Sequence, residues 1–286
     1  MATQFVNYRL EVDDNKVKAE CYFPGIAYDD YGRAGNINPW KVLRMFEAGR
    51  AIPFRIGNLL DYIDLISAGN YGSFALGGDY YFDPSLWEVG HGYQYFPYKI
   101  TIELVSIGQT SFTVRQVLFN TIDHKELASF IGKLVFVDTK TKRPQAFPSW
   151  HNIKYSTLQS QDTFKVDVPV TSVPDYAFSR TFVVTASDTD HNGHTNQASY
   201  VRFCLDATEA ARRHQFLHHF TSDICFYPIV KMSVAYRGET LCGDELTVSL
   251  WDIGHNSSNL HFAISRGTTI VFVAAVKFRE SAVSKL

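Results

Sequence analysis

One stretch of this 286-residue sequence occurs twice, and its second copy reads Ser187-Asp188-Thr189-Asp190-His191-Asn192-Gly193-His194-Thr195-Asn196. The first copy reads Tyr28-Asp29-Asp30-Tyr31-Gly32-Arg33-Ala34-Gly35-Asn36-Ile37-Asn38. When Gly35 is aligned with Gly193, no gap is needed. Asp30 then falls on Asp188, and Asn38 falls on Asn196.

The reactive side chains of this motif are present only in the second copy. Gly32 lies at the position of Asp190, and Asn36 lies at the position of His194. A duplicated frame that keeps its acid and its imidazole once predicts two similar halves that share one functional site.

Composition and charge exclude several classes of protein. Hydrophobic residues make up 45% of the chain, which is enough for a sizeable core. A net charge of -2 without a long basic run argues against nucleic acid as the main partner. Apolar stretches such as residues 268–276 are too short to span a bilayer, and residues 1–10 contain no apolar run typical of a signal peptide.

The four cysteines have no paired spacing, which predicts reduced thiols rather than a disulfide framework or a metal site. They are Cys21, Cys204, Cys225 and Cys242. No metal and no cofactor is expected.

Part of the second motif matches the start of a calcium-binding loop, with Asp188-x-Asp190-x-Asn192-Gly193 in the first six positions. Such a loop needs a bidentate Glu at its twelfth position, and this sequence has Ser199 there. A calcium site is therefore not expected.

The last three residues, Ser284-Lys285-Leu286, match the tripeptide that the peroxisomal import receptor reads. We expect localisation in the peroxisomal matrix, or in the cytosol if this signal is not read.

Each motif is followed by an amphipathic helix and then by strands. After the first motif, apolar residues at 42, 43, 45, 46, 59, 60 and 63 predict a helix that is interrupted near Pro53. Residues 200–212 show the same pattern after the second motif.

Four strands are predicted in the first half, at residues 73–82, 93–107, 111–122 and 126–137. Four more are predicted in the second half, at residues 227–237, 245–253, 259–266 and 269–278. Gly108 and Gly254 occupy matching hairpin ends, where a positive φ favours glycine.

These patterns predict an α+β fold in which an antiparallel sheet wraps one long helix in each half. Two half-sheets alone would expose edge strands, so we expect them to pair into one sheet. The predicted domains are residues 1–140, which carry the degenerate copy, and residues 178–286, which carry the functional copy. Residues 141–177, rich in proline and polar residues, connect them.

The chain resembles a double hotdog protein of the acyl thioesterase superfamily, and is similar to 4-hydroxybenzoyl-CoA thioesterases and plant acyl-acyl-carrier-protein thioesterases. The residues that carry the resemblance in the second half are Ser187-Asp188-Thr189-Asp190, Asn192-x-His194-x-Asn196, Tyr200 and Asp206; in the first half they are Gly35-x-x-Asn38 and Phe46-Glu47-Ala48-x-Arg50. The resemblance implies a tandem hotdog joined as a pseudo-dimer.

The resemblance also implies a set of catalytic residues. In the plant enzymes an Asp-x-Asn-x-His pattern and a later Glu form this set, and they correspond here to Asp190, Asn192, His194 and Glu239. The plant pattern has a Cys after the Glu, whereas this chain has Thr240, with Cys242 two residues further on. This departure weighs against a cysteine nucleophile.

The motif lies where a strand leads into a helix, so backbone N–H groups near Gly193, Thr195 and Asn196 are expected to bind substrate and stabilise an oxyanion. Asp190 is a candidate to hold or deprotonate water, with His194 and Asn192 orienting water or the carbonyl oxygen. Whether Asp190 or Glu239 is the base stays open. Asp188 is expected to be an N-terminal cap or a turn acceptor rather than a catalyst.

The predicted function is hydrolysis of an acyl-CoA, or a related acyl thioester, in lipid metabolism. One alternative is a hotdog enoyl-CoA hydratase, whose Asp-x-Asn-x-x-His pattern is one residue longer than the pattern here. Another is a non-catalytic carrier of acyl-CoA or lipid. The expected partners are an acyl-CoA or acyl-carrier substrate and the peroxisomal import receptor, with no nucleic acid and no membrane span. Pairing of two chains stays open.

Overall fold

A computed structural model describes residues 8–69, 71–89, 96–161, 164–170, 172–254 and 257–280. Contacts divide the chain into two compact units. The first comprises Met1–Tyr28, Met45–Gly78 and Gln94–Val166, and the second comprises Asp29–Arg44, Asp79–Tyr93 and Asp167–Leu286. The predicted boundaries at residues 140 and 178 stay a prediction. Apart from Tyr28, both copies of the motif lie in the second unit.

The first unit is built on an antiparallel sheet. Its strands are β1 (Arg9–Val12), β2 (Lys18–Phe23), β3 (Tyr71–Phe82), β4 (Tyr98–Ile107), β5 (Ser111–Asn120) and β6 (Glu126–Asp138), in the order β1-β2-β4-β5-β6-β3. Residues 79–82 of β3 belong to the second unit. The four strands predicted for this half are present. The start predicted for β4 at Tyr93 lies outside the described residues.

Helix α1 (Pro39–Arg55) begins directly after the first motif and ends two residues after Pro53, close to the predicted interruption. Its second part, from Met45, belongs to the first unit. There the helix lies close to β4, because a Cβ atom added to Gly49 would be 2.5 Å from Ile100 Cγ2. The aligned position in the second half is Ala207, which is fully buried, so both helices keep a small residue at this point.

The apolar residues that follow Pro53 do not continue α1. Leu60 and Asp61 have φ angles of 62° and 48°, in the left-handed region, within a 3-10 turn at Leu59–Asp61. Helix α2 (Tyr62–Ser67) follows this turn. Asp61 is buried, and its carboxylate accepts hydrogen bonds from Lys16 Nζ at 2.5 Å and Tyr155 Oη at 3.0 Å. The sequence pattern alone did not indicate this buried ion pair.

The second unit carries a second antiparallel sheet segment. Its strands β7 (Phe178–Val183), β8 (Ile229–Tyr236), β9 (Glu245–Asp252), β10 (Asn259–Arg266) and β11 (Thr269–Phe278) have the order β8-β11-β10-β9-β7. The four strands predicted for this half are present. Gly254 has a φ of 91°, as its hairpin position predicted. The same prediction for Gly108 is wrong, because Gly108 is not among the residues with positive φ.

The predicted connection contains ordered structure. Helix α4 (Ser149–Lys154) follows the short helix α3 (Pro84–Val89) in chain order, and a 3-10 turn spans Ser156–Gln161. Further on, Val168 and Val170 pack with Trp251, Ala263 and Val273 in a buried cluster of the second unit. The end of the connection therefore covers one face of that unit's sheet.

Helix α5 (Gln197–Arg213) begins directly after the second motif and, like α1, has 17 residues. Asn196 is its N-cap, and the Asn196 side chain accepts a hydrogen bond from the Ala198 N–H at 2.9 Å. Phe203 packs on Phe182 of β7 with ring centroids 5.2 Å apart. The cap and this packing fix the start of the helix relative to the motif.

Asn196→Ala should lower the free energy of unfolding by about 1 kcal/mol, because the Ala198 N–H loses its side-chain acceptor. Urea unfolding followed by circular dichroism would measure the loss. Asn196→Asp, which keeps the acceptor, should stay close to the parent. An equal loss in both variants would contradict the capping role. It would attribute the effect to the side-chain N–H groups of Asn196, which both variants lack.

Candidate active site

The second motif is a loop held by its own backbone. The Asp190 N–H donates to His194 O at 2.8 Å, the Gly193 N–H donates to Asp190 O at 3.0 Å, and the Asn196 N–H donates to Asp188 O at 2.8 Å. Gly193 has a φ of 76°, in the left-handed region that glycine adopts without strain. These bonds present the side chains between residues 190 and 194 on one compact turn.

The first copy has the same backbone hydrogen bonds. The Gly32 N–H donates to Asn36 O at 2.7 Å, the Gly35 N–H donates to Gly32 O at 2.9 Å, and the Asn38 N–H donates to Asp30 O at 2.9 Å. Gly35 has a φ of 73°. The gap-free alignment predicted from the sequence is confirmed at the level of the backbone.

The two copies differ in their side chains. Gly32, Ala34 and Asn36 stand where the second copy has an acid, an amide and an imidazole. A Cβ atom added to Gly32 would lie 2.5 Å from Asn38 Oδ1, so a side chain at that position requires Asn38 to move. The first copy keeps the loop without the groups that could do acid–base chemistry.

Asp190 and Asn192 form one hydrogen-bonded pair. Asp190 Oδ1 accepts from the Asn192 backbone N–H at 2.8 Å, and Asp190 Oδ2 accepts from the Asn192 side-chain amide at 3.3 Å. Asp190 is half-buried and Asn192 is exposed. A carboxylate that bonds the residue two positions ahead stabilises a turn, and here it also orients an amide that solvent can reach.

His194 and Glu239 form a second pair. His194 Nε2 lies 3.2 Å from Glu239 Oε2, and the two side chains are 18% and 47% exposed. Glu239 lies in the connection between β8 and β9. This connection reaches His194 because the Thr195 N–H donates to Thr240 O at 2.8 Å and residue 194 forms a β-bridge with Leu241. The structure thus brings the predicted later acid to the predicted histidine.

The expected backbone donors are not available to a substrate. The N–H groups of Gly193, Thr195 and Asn196 bond to Asp190 O, Thr240 O and Asp188 O, respectively. Thr195 and Asn196 are also buried. The oxyanion role expected of these three N–H groups is therefore wrong, because the loop and its pairing with residue 240 already use them.

Asp188 has a structural role, and of the two roles predicted it is the turn acceptor: it is the last residue of a 3-10 turn at Ala186–Asp188 whose N-cap is Thr185. Its Oδ2 accepts from the Thr185 N–H at 2.8 Å and from Thr185 Oγ1 at 2.7 Å, and its Oδ1 accepts from Arg202. Arg202 also lies 3.7 Å from Asp206. Burial raises the pKa of Asp206, although Arg202 opposes that shift.

The cysteines are reduced, and three of them are poor nucleophiles. Burial raises the pKa of Cys21 and that of Cys225 to about 12, and it raises the pKa of Cys204 well above its ordinary value. A thiol with such a pKa carries almost no thiolate at neutral pH. Cys242 is exposed, and it follows Thr240 by two residues.

A cavity of about 510 Å³ lies beside the second motif, between the first turns of α1 and α5. Basic side chains and hydroxyl groups line it, among them Lys41, Arg44, Arg202, Thr185, Ser187 and Ser199. None of the four predicted catalytic residues lines it. A smaller cavity of about 40 Å³ lies beside the first motif and is walled by Trp40, Trp87, Tyr227 and Phe278.

Within the described ranges, no group of three His, Cys, Asp or Glu side chains is placed to hold a metal ion. In the same part of the chain, no helix has the length and apolar character needed to cross a membrane.

Comparison with known protein families gives a match within the second half of the chain. Residues 184–280 match the family described as the thioesterase-like superfamily. This segment contains the second motif, Glu239 and strands β8 to β11, so the superfamily recognised in the sequence is confirmed there. A search of curated proteins finds no match.

Solved structures resemble the chain over nearly its whole length. A protein of Lactobacillus plantarum with a proposed oleoyl thioesterase activity is 14% identical, with a TM-score of 0.72 over 96% of this chain and 97% of that chain. An acyl-ACP thioesterase of Bacteroides thetaiotaomicron is 18% identical, with a TM-score of 0.69 over 93% and 98%. The 12:0-ACP thioesterase of Umbellularia californica is 14% identical, with a TM-score of 0.67 over 92% and 97%. At these identities the likeness establishes the hotdog thioesterase fold.

The sequence did not indicate how Thr195, Tyr200 and Thr240 are connected. Tyr200 contributed to the family resemblance, and Thr240 stood out only as a departure from the plant pattern. The structure joins their hydroxyl groups behind the His194–Glu239 pair. The one available signal was a strand-like alternation in residues 194–196. It places the Thr195 side chain on the face opposite to that of the His194 side chain.

Proposed function

We propose that this chain hydrolyses acyl thioesters to a free acid and a thiol, with an acyl-CoA or acyl-carrier thioester as substrate. The observation that carries the proposal is the His194–Glu239 pair at 3.2 Å, with His194 on the same loop as the Asn192 amide that Asp190 holds. This arrangement lies in the segment that matches the thioesterase-like superfamily. It supplies a base, an acid that orients the base, and a polar hydrogen donor.

In this mechanism the Nε2–H of neutral His194 donates a hydrogen bond to Glu239, so the imidazole lone pair is on Nδ1. Nδ1 takes a proton from water while the water oxygen bonds to the thioester carbonyl carbon. The tetrahedral intermediate collapses by breaking its carbon–sulfur bond. The imidazolium returns the proton to the departing thiolate, which leaves the acid and the thiol.

Asn192 provides the hydrogen donor for the negative oxygen of the intermediate. One of its amide N–H groups bonds to Asp190 Oδ2 at 3.3 Å, and the other is on an exposed side chain. A single oriented donor of this kind contributes roughly 100- to 1000-fold to the rate of acyl transfer. This assignment replaces the backbone N–H groups that the loop uses internally.

The cavity of about 510 Å³ is our candidate for the carrier part of the substrate. Its basic and hydroxyl lining suits phosphate groups, which CoA and the prosthetic arm of a carrier protein both have. Lys41 lies 2.9 Å from Asp30, and Arg202 bonds to Asp188, so a bound phosphate would join existing ion pairs.

The finer architecture that we propose is a tandem hotdog, with α1 as the long helix of one hotdog and α5 as that of the other, joined as a pseudo-dimer. The repeated loop geometry, the equal helix lengths and the shared small residue at 49 and 207 support this proposal.

His194→Ala should lower kcat/KM at least about 100-fold, because general acid–base catalysis contributes about 100- to 10,000-fold. Glu239→Gln should lower it by a smaller factor, because the imidazole stays but loses the carboxylate that orients it. Release of free thiol from a panel of acyl-CoAs measures both rates and distinguishes a hydrolase from a hydratase or a carrier.

Cys242→Ser is the matched control and should change the rate by less than about 2-fold, because the mechanism uses no thiolate. Wild-type rates in the His194→Ala variant would place the site elsewhere. Hydration of an enoyl-CoA without release of thiol would favour the hydratase.

Gly32→Asp combined with Asn36→His should not restore activity to the His194→Ala variant. The new carboxylate has no room beside Asn38 Oδ1, and the first copy has Ala34 in place of the Asn192 amide. The inactive background makes any second site directly visible as regained thiol release. Recovery above about 1% of the parent rate would contradict the one-site proposal.

We also propose import into the peroxisome through Ser284, Lys285 and Leu286, which lie outside the described residues. A fluorescent tag before Met1 should give puncta that coincide with a peroxisomal marker. Deletion of residues 284–286 from the same fusion should leave it diffuse in the cytosol. Puncta that persist after the deletion would rule out these residues as the signal.

A further inference from the structure

The short pairing between residues 194–196 and residues 239–241 has two different faces. Side chains alternate along extended backbone, so His194 and Glu239 share one face and Thr195 and Thr240 share the other. On the first face the Glu239 side chain is 47% exposed and the His194 side chain is 18% exposed. The second is buried, with Thr195 6% exposed and Thr240 fully buried.

On the buried face the hydroxyl protons have one consistent assignment. Thr240 Oγ1 donates to Thr195 Oγ1 at 2.6 Å, and Thr195 Oγ1 donates to Thr240 O at 3.1 Å. Tyr200 Oη lies 2.8 Å from Thr240 Oγ1, and it must be the donor because Thr240 has already given its proton. Burial raises the pKa of Tyr200, so the phenol keeps this proton at neutral pH.

Tyr200 ties this hydroxyl chain to the core of the second unit. Its ring stacks on Phe272 of β11, with centroids 5.2 Å apart and planes 14° apart. It also meets the Tyr236 ring edge-on at 6.0 Å. A ring fixed on two sides holds its hydroxyl group, and therefore Thr240, at a defined place.

We propose that Thr240, together with Thr195 and Tyr200, positions the His194–Glu239 pair. The hydrogen bond between His194 and Glu239 joins a side chain that is 18% exposed to one that is 47% exposed, so water competes for the Glu239 carboxylate. Thr240, the chain neighbour of Glu239, is joined to Thr195 by a backbone hydrogen bond and by two bonds of its hydroxyl chain, and these bonds hold the backbone next to residue 239. This role rests on the proposed thioester hydrolysis, in which Glu239 orients His194.

The decisive comparison is Thr240→Val with Thr240→Ser. Valine keeps the shape of threonine but removes the hydroxyl group, so kcat should fall about 10- to 100-fold while KM changes less than about 2-fold, because a misplacement of about 1 Å can cost about 100-fold. Serine keeps the hydroxyl group and should stay within about 3-fold of the parent. Thr208→Val is the matched control on α5, since Thr208 is also fully buried and donates only to Cys204 O at 2.8 Å.

A double-mutant cycle separates positioning from general damage. In the Glu239→Gln background, Thr240→Val should lower kcat by less than about 2-fold further, because the pair it positions is already broken. The same loss in both backgrounds, or equal loss in Thr240→Ser and Thr240→Val, would overturn the proposal. Tyr200→Phe removes the first donor of the hydroxyl chain. It takes the place of Thr240→Val in the cycle if Thr240→Val does not fold.

The imidazole nitrogen resonances of His194 test the same role without turnover. Thr240→Val should remove the hydrogen-bonded Nε2–H signal that His194→Ala identifies in the parent, and Thr240→Ser should retain it. Unchanged signals in Thr240→Val overturn the positioning role. A parent protein that releases no thiol from any acyl thioester overturns the proposed function, while the resonances still decide whether Thr240 positions the pair.

Discussion

The hydrogen bond from the Thr195 N–H to Thr240 O, 2.8 Å long, fixes the geometry on which the candidate site depends. It joins the motif to the β8–β9 connection, two segments that are distant in sequence. It holds the solvent-exposed connection that carries Glu239 next to the loop that carries His194, independently of the contact between these two side chains.

The first copy of the motif keeps the loop geometry of the second copy but lacks its acid and its imidazole. The shared frame consists of main-chain bonds and one left-handed glycine, Gly35 or Gly193, and none of these needs an acid or an imidazole. The first copy could therefore lose those groups and still lead its helix from the same position. Asn38 then fills the space next to Gly32, which removes the room for a carboxylate.

The features predicted correctly from the sequence are the local ones. Strand alternation predicted eight strands, the motif and its apolar spacing predicted where both long helices lie, and the alignment predicted the repeated loop. Two of the failures depend on partners distant in sequence. The N–H of Thr195 looked free because its acceptor, Thr240 O, comes from another segment. The left-handed turn at Leu60 and Asp61 depends in the same way on Lys16 and Tyr155.

The sequence left Asp190 and Glu239 as rival bases, and the geometry favours neither as the group that takes the proton from water. Both oxygens of Asp190 accept hydrogen bonds from Asn192, so its lone pairs are partly committed to a turn. Glu239 faces His194 Nε2, the position of an acid that orients an imidazole. In the proposed mechanism each carboxylate orients one partner: Asp190 orients Asn192 toward the carbonyl oxygen, and Glu239 orients His194 toward water and the leaving thiolate. A site arranged in this way needs one imidazole, and only the second copy of the motif has it.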